Sequence, residues 1–121
     1  MSTLILGASS KPQRYAYEAA RRLLAIGETV YPLGYRAGKT AGSLDILTKF
    51  PTEAQIDSIT LYLRPSLQEE YFAPIVALAP RRIIFNPGTE NPQFQQRLQA
   101  ALPQTEIMMA CTLVLISMGE Y

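Results

Sequence analysis

Short apolar runs alternate with helical patterns along the whole of this chain. The runs that predict strands are Leu4–Leu6, Thr29–Leu33, Ser58–Leu63, Arg82–Phe85 and Glu106–Met109. Their leucine, β-branched and aromatic residues are typical of strands buried on both faces. Strands that alternate with helices bury those faces when the helices cover a mostly parallel sheet. We therefore predict an α/β layered domain.

Three helices are predicted between these strands. The first covers about Gln13–Ile26, where alanines and leucines form one apolar stripe. The sequence Ser66-Leu-Gln-Glu69 is typical of a capping box. The helix that follows it is predicted to continue to about Ala79, with a kink or an early end at Pro74. Asn91 is followed by proline, a pair typical of the N-cap and first position of the third helix.

Four other segments have weaker patterns. Gly34–Gly42 contains three glycines and two cations, and it is either a ligand-binding arm or a solvated flexible loop. We predict a short edge strand within Ser43–Phe50 and one helical turn at Thr52–Ile56. The apolar segment Ala110–Met118 closes the chain without a clear periodicity.

The composition excludes several classes of function. The chain has 121 residues, which predicts one domain, 1–121, and its net charge of +1 argues against a nucleic-acid or membrane partner. No apolar run approaches the roughly 18–20 residues that span a bilayer, and no signal peptide is visible. The single cysteine suits a cytoplasmic location. Histidine is absent, which removes Ser–His and Cys–His pairs, and no metal-ligating cluster is evident.

The loop Gly7–Arg14 joins the first strand to the first helix and predicts an anion site. First-turn N–H groups lack partners within a helix, and the helix dipole favours negative charge at that end. Our central hypothesis is that this loop receives the phosphates of a nucleotide. The alternative is a tight turn between strand and helix that binds no ligand.

Positive charge is concentrated in the loops predicted at the carboxyl ends of the strands. Ligands of doubly wound sheets bind at that edge, where the strand order reverses. The loops expected there are Gly7–Arg14, Gly34–Lys39, Arg64–Ser66 and Asn86–Asn91. The cations within them are Lys11, Arg14, Arg36, Lys39 and Arg64. This concentration favours a phosphorylated ligand.

The details of these loops argue against NAD. A dinucleotide fingerprint has a third glycine in the first loop and an acidic residue after the second strand. Here Pro12 stands near the third glycine position, and the second strand ends in Leu33-Gly-Tyr-Arg36 without a carboxylate. An arginine at that point suits a phosphorylated ribose, because its planar fork binds phosphate with two hydrogen bonds. NADP and coenzyme A (CoA) both fit.

Four motifs together resemble the small, single-domain CoA-binding protein family. They are Gly7-Ala-Ser-Ser with Arg14-Tyr15, Thr60-Leu-Tyr-Leu-Arg-Pro65, Phe85-Asn-Pro-Gly-Thr-Glu-Asn-Pro92 and Ala110-Cys-Thr-Leu113. The family is similar to the CoA-binding domain of succinyl-CoA synthetase. The resemblance implies a Rossmann-like three-layer sandwich with five or six mostly parallel strands, and CoA bound at the switch point. Many members have Val-Asn-Pro after the second strand, where this chain has Leu-Gly-Tyr-Arg.

The resemblance also implies which residues contact the cofactor. The pyrophosphate would lie on the first loop, and Arg36 and Lys39 are candidates for the 3′-phosphate of the adenosine. The residues predicted to bind CoA are Gly7, Ala8, Ser9, Ser10, Arg14, Tyr15, Gly34, Arg36, Lys39, Arg64, Pro65, Asn86, Pro87, Gly88, Thr89 and Asn91. The alternative for Asn86–Asn91 is a purely structural loop, and for Arg64 and Pro65 it is a turn that ends a strand.

We favour non-catalytic binding of CoA or an acyl-CoA, in a carrier, sensor or regulatory module. The alternatives are an NADP-dependent oxidoreductase or CoA-ligase component, and an interaction domain without a ligand. Cys111 is either a small core residue or the partner of the CoA thiol in a mixed disulfide. A homodimer could form through Tyr71, Phe72 and the apolar carboxyl-terminal segment.

Overall fold

The computed structural model describes all residues from 1 to 121. Its strands are β1 (Ser2–Leu6), β2 (Thr29–Leu33), β3 (Lys39–Thr40), β4 (Leu44–Asp45), β5 (Ser58–Leu61), β6 (Arg82–Phe85) and β7 (Glu106–Met109). Its helices are α1 (Tyr15–Ala25), α2 (Phe72–Leu78), α3 (Pro92–Ala101) and α4 (Thr112–Ser117). Two 3₁₀ turns, Pro65–Leu67 and Glu69–Tyr71, lead into α2.

Five strands form one parallel sheet in the order β2-β1-β5-β6-β7. The predicted α/β, Rossmann-like fold is therefore confirmed. The chain leaves β1 on one side to form β2 and then returns to the other side to form β5. The carboxyl ends of β1 and β5 thus flank the point at which the strand order reverses, where such sheets bind ligands.

Helices cover both faces of this sheet. Alternate residues of the central strands point to one face, where Leu4, Leu6 and Phe85 belong to the larger core cluster with Phe94 and Leu98 of α3. On the other face, a smaller cluster joins β1 and β2 to α1 and is partly covered by α4. Ala16, Ala19 and Ala20 of α1 are fully or almost fully buried there, so that this helix approaches the sheet closely. The arrangement is a three-layer sandwich.

The capping box predicted at Ser66 is wrong. The side chain of Ser66 caps no helix, and the α-helical segment begins only at Phe72. Pro74 has no N–H group and is tolerated only in the first turn, which is where the late start places it. Gln68 is fully buried, and its Nε2 donates to the carbonyls of Leu63 and Thr89, both at 2.8 Å. These bonds hold the Gln68 side chain in the core, while Ser66, Leu67 and Glu69 stay exposed.

Other boundaries shift by a few residues. α1 begins at Tyr15 because Arg14 has extended backbone geometry and supplies the N-cap position without a side-chain cap. The strand predicted at Ser58–Leu63 ends at Leu61. The segment Thr52–Ile56 forms turns and not a helix. The closing segment Ala110–Met118 contains α4.

The segment between β2 and β5 differs most from its prediction. The short strand predicted within Ser43–Phe50 is present as β4, but it pairs with β3 in an antiparallel hairpin and not with the five-stranded sheet. A parallel bridge between Leu47 and Leu33 holds the hairpin beside the end of β2. This edge is also where Pro32 is accommodated within β2, since an edge strand does not need every N–H group for pairing.

Part of the apolar surface expected to serve a homodimer faces inward. Tyr71 packs against Phe50 and Phe72 packs against Phe94, with ring centroids 6.4 and 6.0 Å apart. Val114 and Met118 of the carboxyl-terminal segment are exposed. No helix combines the length and the apolar character that a membrane span requires.

An ion pair fastens the strands at the amino end of the sheet, opposite the switch point. The Asp57 carboxylate accepts two hydrogen bonds of 2.9 Å from Arg81 and one of 2.8 Å from Ser58. The Asp57 carbonyl also accepts from the Arg81 N–H at 2.9 Å. The hydrogen bonds from Arg81 lower the pKa of Asp57 below its usual value, and the Ser58 bond adds to them against the opposing effect of burial.

This pair predicts a stability loss in acid. The folded-state pKa of Asp57 lies below its unfolded value. The contribution of Asp57 to the free energy of unfolding is therefore complete above the ordinary carboxyl pKa, about 4, and is lost as the pH falls through the folded-state pKa. We expect Asp57→Asn to lower the Tm at pH 7 and to flatten the decline of the Tm below about pH 4. Thermal unfolding followed by circular dichroism between pH 7 and pH 2.5 checks this.

The carboxylate of Glu18 is unchanged by this substitution, and Arg21 and Arg22 lower its pKa to about 2. Its protonation therefore contributes to the acid decline of the Tm in both proteins and does not account for a difference between them. If the Tm curves of the wild type and Asp57→Asn stay parallel and do not converge in acid, the Asp57–Arg81 pair is not a source of the stability loss at low pH.

Candidate functional site

Three adjoining cavities lie at the carboxyl ends of β2, β1, β5 and β6. The cationic cavity, of about 410 Å³, is lined by Gly7, Ser9, Lys11, Arg14, Tyr15, Ala16, Tyr62, Arg64, Pro87, Gly88 and Thr89. The apolar cavity, of about 320 Å³, is lined by Gly7, Leu33, Gly34, Tyr35, Leu63, Arg64, Leu67, Glu70 and Tyr71. The outer cavity, of about 300 Å³, is lined by Ala8, Ser9, Ser10, Lys11, Tyr35, Arg36 and Ile46. Shared residues make the three one continuous groove around the β1–α1 loop.

Close contacts between backbones shape the centre of this groove. Gly7 has a φ of +108°, and a Cβ atom there would lie 3.0 Å from the carbonyl carbon of Tyr62. A Cβ on Gly34 would lie 2.7 Å from the carbonyl oxygen of Ala8. Glycine is therefore required at both positions for the ends of β1, β2 and β5 to approach one another.

Two of the four loop residues predicted to hold the pyrophosphate have N–H groups that are already used within the protein. The N–H groups of Gly7 and Ala8 both donate to the Leu33 carbonyl at 2.9 Å, and so they are not available to an anion. The N–H groups of Ser9, Ser10, Tyr15 and Ala16 have no acceptor within the protein. The N–H groups left free for an anion are thus those of the two serines and of the first turn of α1.

The cations of the groove lack carboxylate partners. Of the eleven Lys and Arg residues, those in ion pairs are Arg21, Arg22, Lys39, Arg81 and Arg97. The cations that line the cavities, Lys11, Arg14, Arg36 and Arg64, are in none of these pairs. No carboxylate lines the cationic or the outer cavity. The positive charge at this edge is therefore available to an anionic ligand.

Lys39 is the exception among the predicted cations. Its ammonium nitrogen lies 2.6 Å from Oδ1 of Asp45 across the β3–β4 hairpin, and it lines none of the three cavities. The prediction that Lys39 joins Arg36 at one phosphate is not supported by this geometry. Lys11, in the β1–α1 loop, lines both the cationic and the outer cavity, and it is the lysine that lies beside Arg36 in the lining of the outer cavity.

Tyr62 forms part of the wall of the cationic cavity and was not singled out by the sequence. Its hydroxyl oxygen is buried and has no hydrogen-bond partner in the protein. Burial, with a smaller contribution from Cys111, raises the pKa of Tyr62 to about 12. The phenol is therefore a protonated donor at physiological pH and not a base.

The loop after β6 has two parts with different roles. Pro87, Gly88 and Thr89 line the cationic cavity, and the Gly88 N–H donates to the Glu90 carboxylate at 2.8 Å. Thr89 is buried and its hydroxyl donates to the Asn86 carbonyl at 2.7 Å. The centre of the loop thus faces the groove, while its side-chain hydroxyl is used internally.

Asn86 belongs to a buried polar network and not to a cavity wall. It is 1% exposed, and its Nδ2 donates to Oγ1 of Thr60 at 2.7 Å and to the Leu61 carbonyl at 2.9 Å. Its Oδ1 accepts from the Thr112 N–H at 2.8 Å, and the hydroxyls of Thr60 and Thr112 share a 2.7 Å hydrogen bond. The network holds the start of α4 against the ends of β5 and β6.

Asn91 is the N-cap of α3, as predicted. Its Oδ1 accepts from the Phe94 N–H at 3.4 Å, and its Nδ2 donates to Gln68 at 3.1 Å. Like Asn86, it lines no cavity, and Pro65 starts the first 3₁₀ turn outside them. Cys111 is a half-buried free thiol at the N-cap of α4 and also lies outside the three cavities.

The structure brings most of the predicted binding residues together. Those that line the groove are Gly7, Ala8, Ser9, Ser10, Arg14, Tyr15, Gly34, Arg36, Arg64, Pro87, Gly88 and Thr89. Of the apolar cavity, the sequence predicted only Gly7, Gly34 and Arg64 and missed the apolar wall. Its residues Leu67, Glu70 and Tyr71 fall in the segment predicted as a regular helix, where nothing in the periodicity indicates that they face a groove.

A family model described as a CoA binding domain matches residues 1–117. No curated protein matches the sequence. Among solved structures, a crystal structure of an uncharacterized protein is 39% identical, with a TM-score of 0.91 over 99% of this chain and 97% of its own.

Two more distant structures share the fold. A protein from Thermus thermophilus is 20% identical, with a TM-score of 0.83 over 99% of this chain and 90% of its own. A hypothetical protein from Pyrococcus horikoshii is 24% identical, with a TM-score of 0.77 over 93% of this chain and 78% of its own.

The two asparagines of the β6–α3 loop predict different stability losses. Asn86→Ala leaves the Thr112 N–H buried without its acceptor and removes the side-chain donor to the Leu61 carbonyl, which keeps only the backbone N–H of residue 86 at 3.4 Å. We expect the free energy of unfolding to fall by about 3 kcal/mol. Asn91→Ala removes the N-cap of α3 and the hydrogen bond to Oε1 of Gln68, and is expected to lose about 2 kcal/mol. Urea unfolding of both variants measures the difference. Equal losses would show that the buried network does not hold the loop.

Proposed function

The chain belongs to the CoA-binding domain family, and we propose that it binds CoA or an acyl-CoA without transforming it. The observation that carries this proposal is the cluster of unpaired cations beside unpaired N–H groups at one edge of the sheet. Elsewhere on the molecule, most cations are neutralised by a carboxylate. Such a cluster favours a ligand with several phosphate groups.

The pyrophosphate of CoA would bind at the beginning of α1. The N–H groups of Ser9, Ser10, Tyr15 and Ala16 are available there, and the positive end of the helix dipole favours the charge. Arg14 lines the same cavity and adds a charged donor. This geometry requires no rearrangement of the loop, because the hydrogen bonds of Gly7 and Ala8 to β2 already turn the following amides outward.

The 3′-phosphate would bind in the outer cavity. Arg36 and Lys11 line it together with Ser10, and no carboxylate competes for them. The planar guanidinium of Arg36 can hold a phosphate with two parallel hydrogen bonds. Lys11 borders both this cavity and the cationic cavity, so that one ammonium lies between the two phosphate positions.

The pantetheine arm would follow the cationic cavity past Pro87, Gly88 and Thr89. The lining of that cavity contains no carboxylate, thiol or imidazole, and its phenol, Tyr62, keeps its proton because burial raises its pKa to about 12. A general base would need a pKa near the working pH. These features favour a carrier, sensor or regulatory role over an enzymatic one.

NADP is the second candidate ligand, because Arg36 also suits the 2′-phosphate of that cofactor. Family membership favours CoA. An interaction domain without a ligand is the third possibility, and the unpaired cations argue against it, since their mutual repulsion has no compensation in the empty protein.

Calorimetric titration with CoA, dephospho-CoA, NADP and NAD separates these candidates. We expect the tightest binding for CoA and weaker binding for dephospho-CoA, which lacks the 3′-phosphate. Arg36→Ala should weaken CoA binding about tenfold or more and reduce the preference over dephospho-CoA, since one charge-assisted contact is lost.

Lys49→Ala is the matched control, because Lys49 is an exposed cation without an ion-pair partner that lines none of the cavities. Its affinity for CoA should stay within about twofold of the wild type. Equal losses in the two variants would assign the effect to overall charge. An unchanged affinity in Arg36→Ala would place the 3′-phosphate elsewhere.

A further inference from the structure

Tyr35 is an aromatic residue without a packing partner. It is 94% exposed, more than any other large apolar or aromatic side chain of the molecule. It also lines both the apolar cavity and the outer cavity, so that it lies at the boundary between them. A ring in water at the mouth of an apolar cavity gains buried area if it turns over an occupant of that cavity.

The segment that carries Tyr35 is fixed at both ends. The Gly34 N–H donates to the Leu47 carbonyl at 2.9 Å, and the Ile46 N–H donates to the Gly38 carbonyl at 2.8 Å. The residues between these bonds, 35–37, are all exposed. The arm therefore has a defined position on the rim, while the Tyr35 side chain has no contacts that restrict its rotamer.

The apolar cavity has a second aromatic residue in its lining, Tyr71, which is held by packing. Tyr71 is half-buried and packs against Phe50 at 6.4 Å between ring centroids, with an angle of 31° between the rings. Leu33, Leu63 and Leu67 provide further apolar wall. The lining of the cavity thus contains one packed and one unpacked aromatic ring.

Glu70 distinguishes this cavity from its neighbours. It is the one carboxylate among the residues that line the three cavities. A carboxylate repels phosphate but accepts a hydrogen bond from an amino group. Arg64 lines both this cavity and the cationic cavity. The apolar cavity therefore suits a planar, uncharged group with an exocyclic amine.

We propose that Tyr35 and Tyr71 form an aromatic clamp for the adenine base of the ligand, with Tyr35 closing over the base and Glu70 accepting from its amino group. This inference rests on the proposed function, because it concerns the same ligand. The chain order supports it. The base and the 3′-phosphate are attached to one ribose, and of the consecutive residues Tyr35 and Arg36 the first lines both the apolar and the outer cavity and the second lines the outer cavity.

The test compares Tyr35→Ala and Tyr35→Phe with the unaltered protein, with CoA and 4′-phosphopantetheine as ligands. Base–aromatic stacking predicts that Tyr35→Ala weakens CoA binding about tenfold, while Tyr35→Phe stays within about twofold. Binding of 4′-phosphopantetheine, which has no base, should be the same in all three proteins. Because Tyr35 is exposed, circular dichroism should show the same fold for each variant.

A second readout reports the stacking itself. The fluorescence of 1,N6-etheno-CoA should be quenched when it binds the wild type, and less so at saturation with Tyr35→Ala. The etheno bridge leaves N6 without a hydrogen, so this probe tests the stacking and not the hydrogen bond to Glu70. If the wild type and Tyr35→Ala bind CoA with equal affinity and quench the etheno-CoA fluorescence equally, the clamp is overturned and the proposed function remains intact. No binding of CoA by the unaltered protein would overturn both.

Discussion

The carbonyl oxygen of Leu33 fixes the geometry on which the whole groove depends. It accepts the N–H groups of both Gly7 and Ala8, and it thereby joins the end of β2 to the loop that follows β1. After these bonds and the positive φ of Gly7, the next two amides, of Ser9 and Ser10, have no acceptor within the protein. The absence of a Cβ atom on Gly7 and Gly34 lets three backbones meet at this point. The free amides at this edge are thus a consequence of sheet packing.

Buried side-chain amides hold the other wall of the groove. Gln68 joins the loops after β5 and β6 through the carbonyls of Leu63 and Thr89, and Asn86 joins β5 to the start of α4. Both residues are almost completely inaccessible to water. Loops held by a fully satisfied polar network need little ordering when a ligand arrives, and preorganisation of this kind improves affinity.

Much of the fold could be predicted because its strands are short, apolar and separated by clear turn residues. The alternation of strands and helices, the parallel sheet and the position of Arg36 after β2 follow from that pattern. The failures arise where a side chain finds its partner outside its own element, or where a proline moves the start of a helix. Gln68 bonds to Thr89 and not to its own helix, and Lys39 pairs across a hairpin with Asp45. Tyr71 reaches the groove because Pro74 delays the helix.

The uneven pairing of charges between the two ends of the sheet also bears on how fast a ligand arrives. At the amino end, Arg81 is neutralised by Asp57 and the terminal ammonium lies 3.5 Å from Glu28. At the carboxyl end, the cations of the groove are unpaired. A nearly neutral molecule therefore presents a local positive field in one direction. Such a field orients multivalent anions during diffusional encounter, and added salt weakens it within about 10 Å.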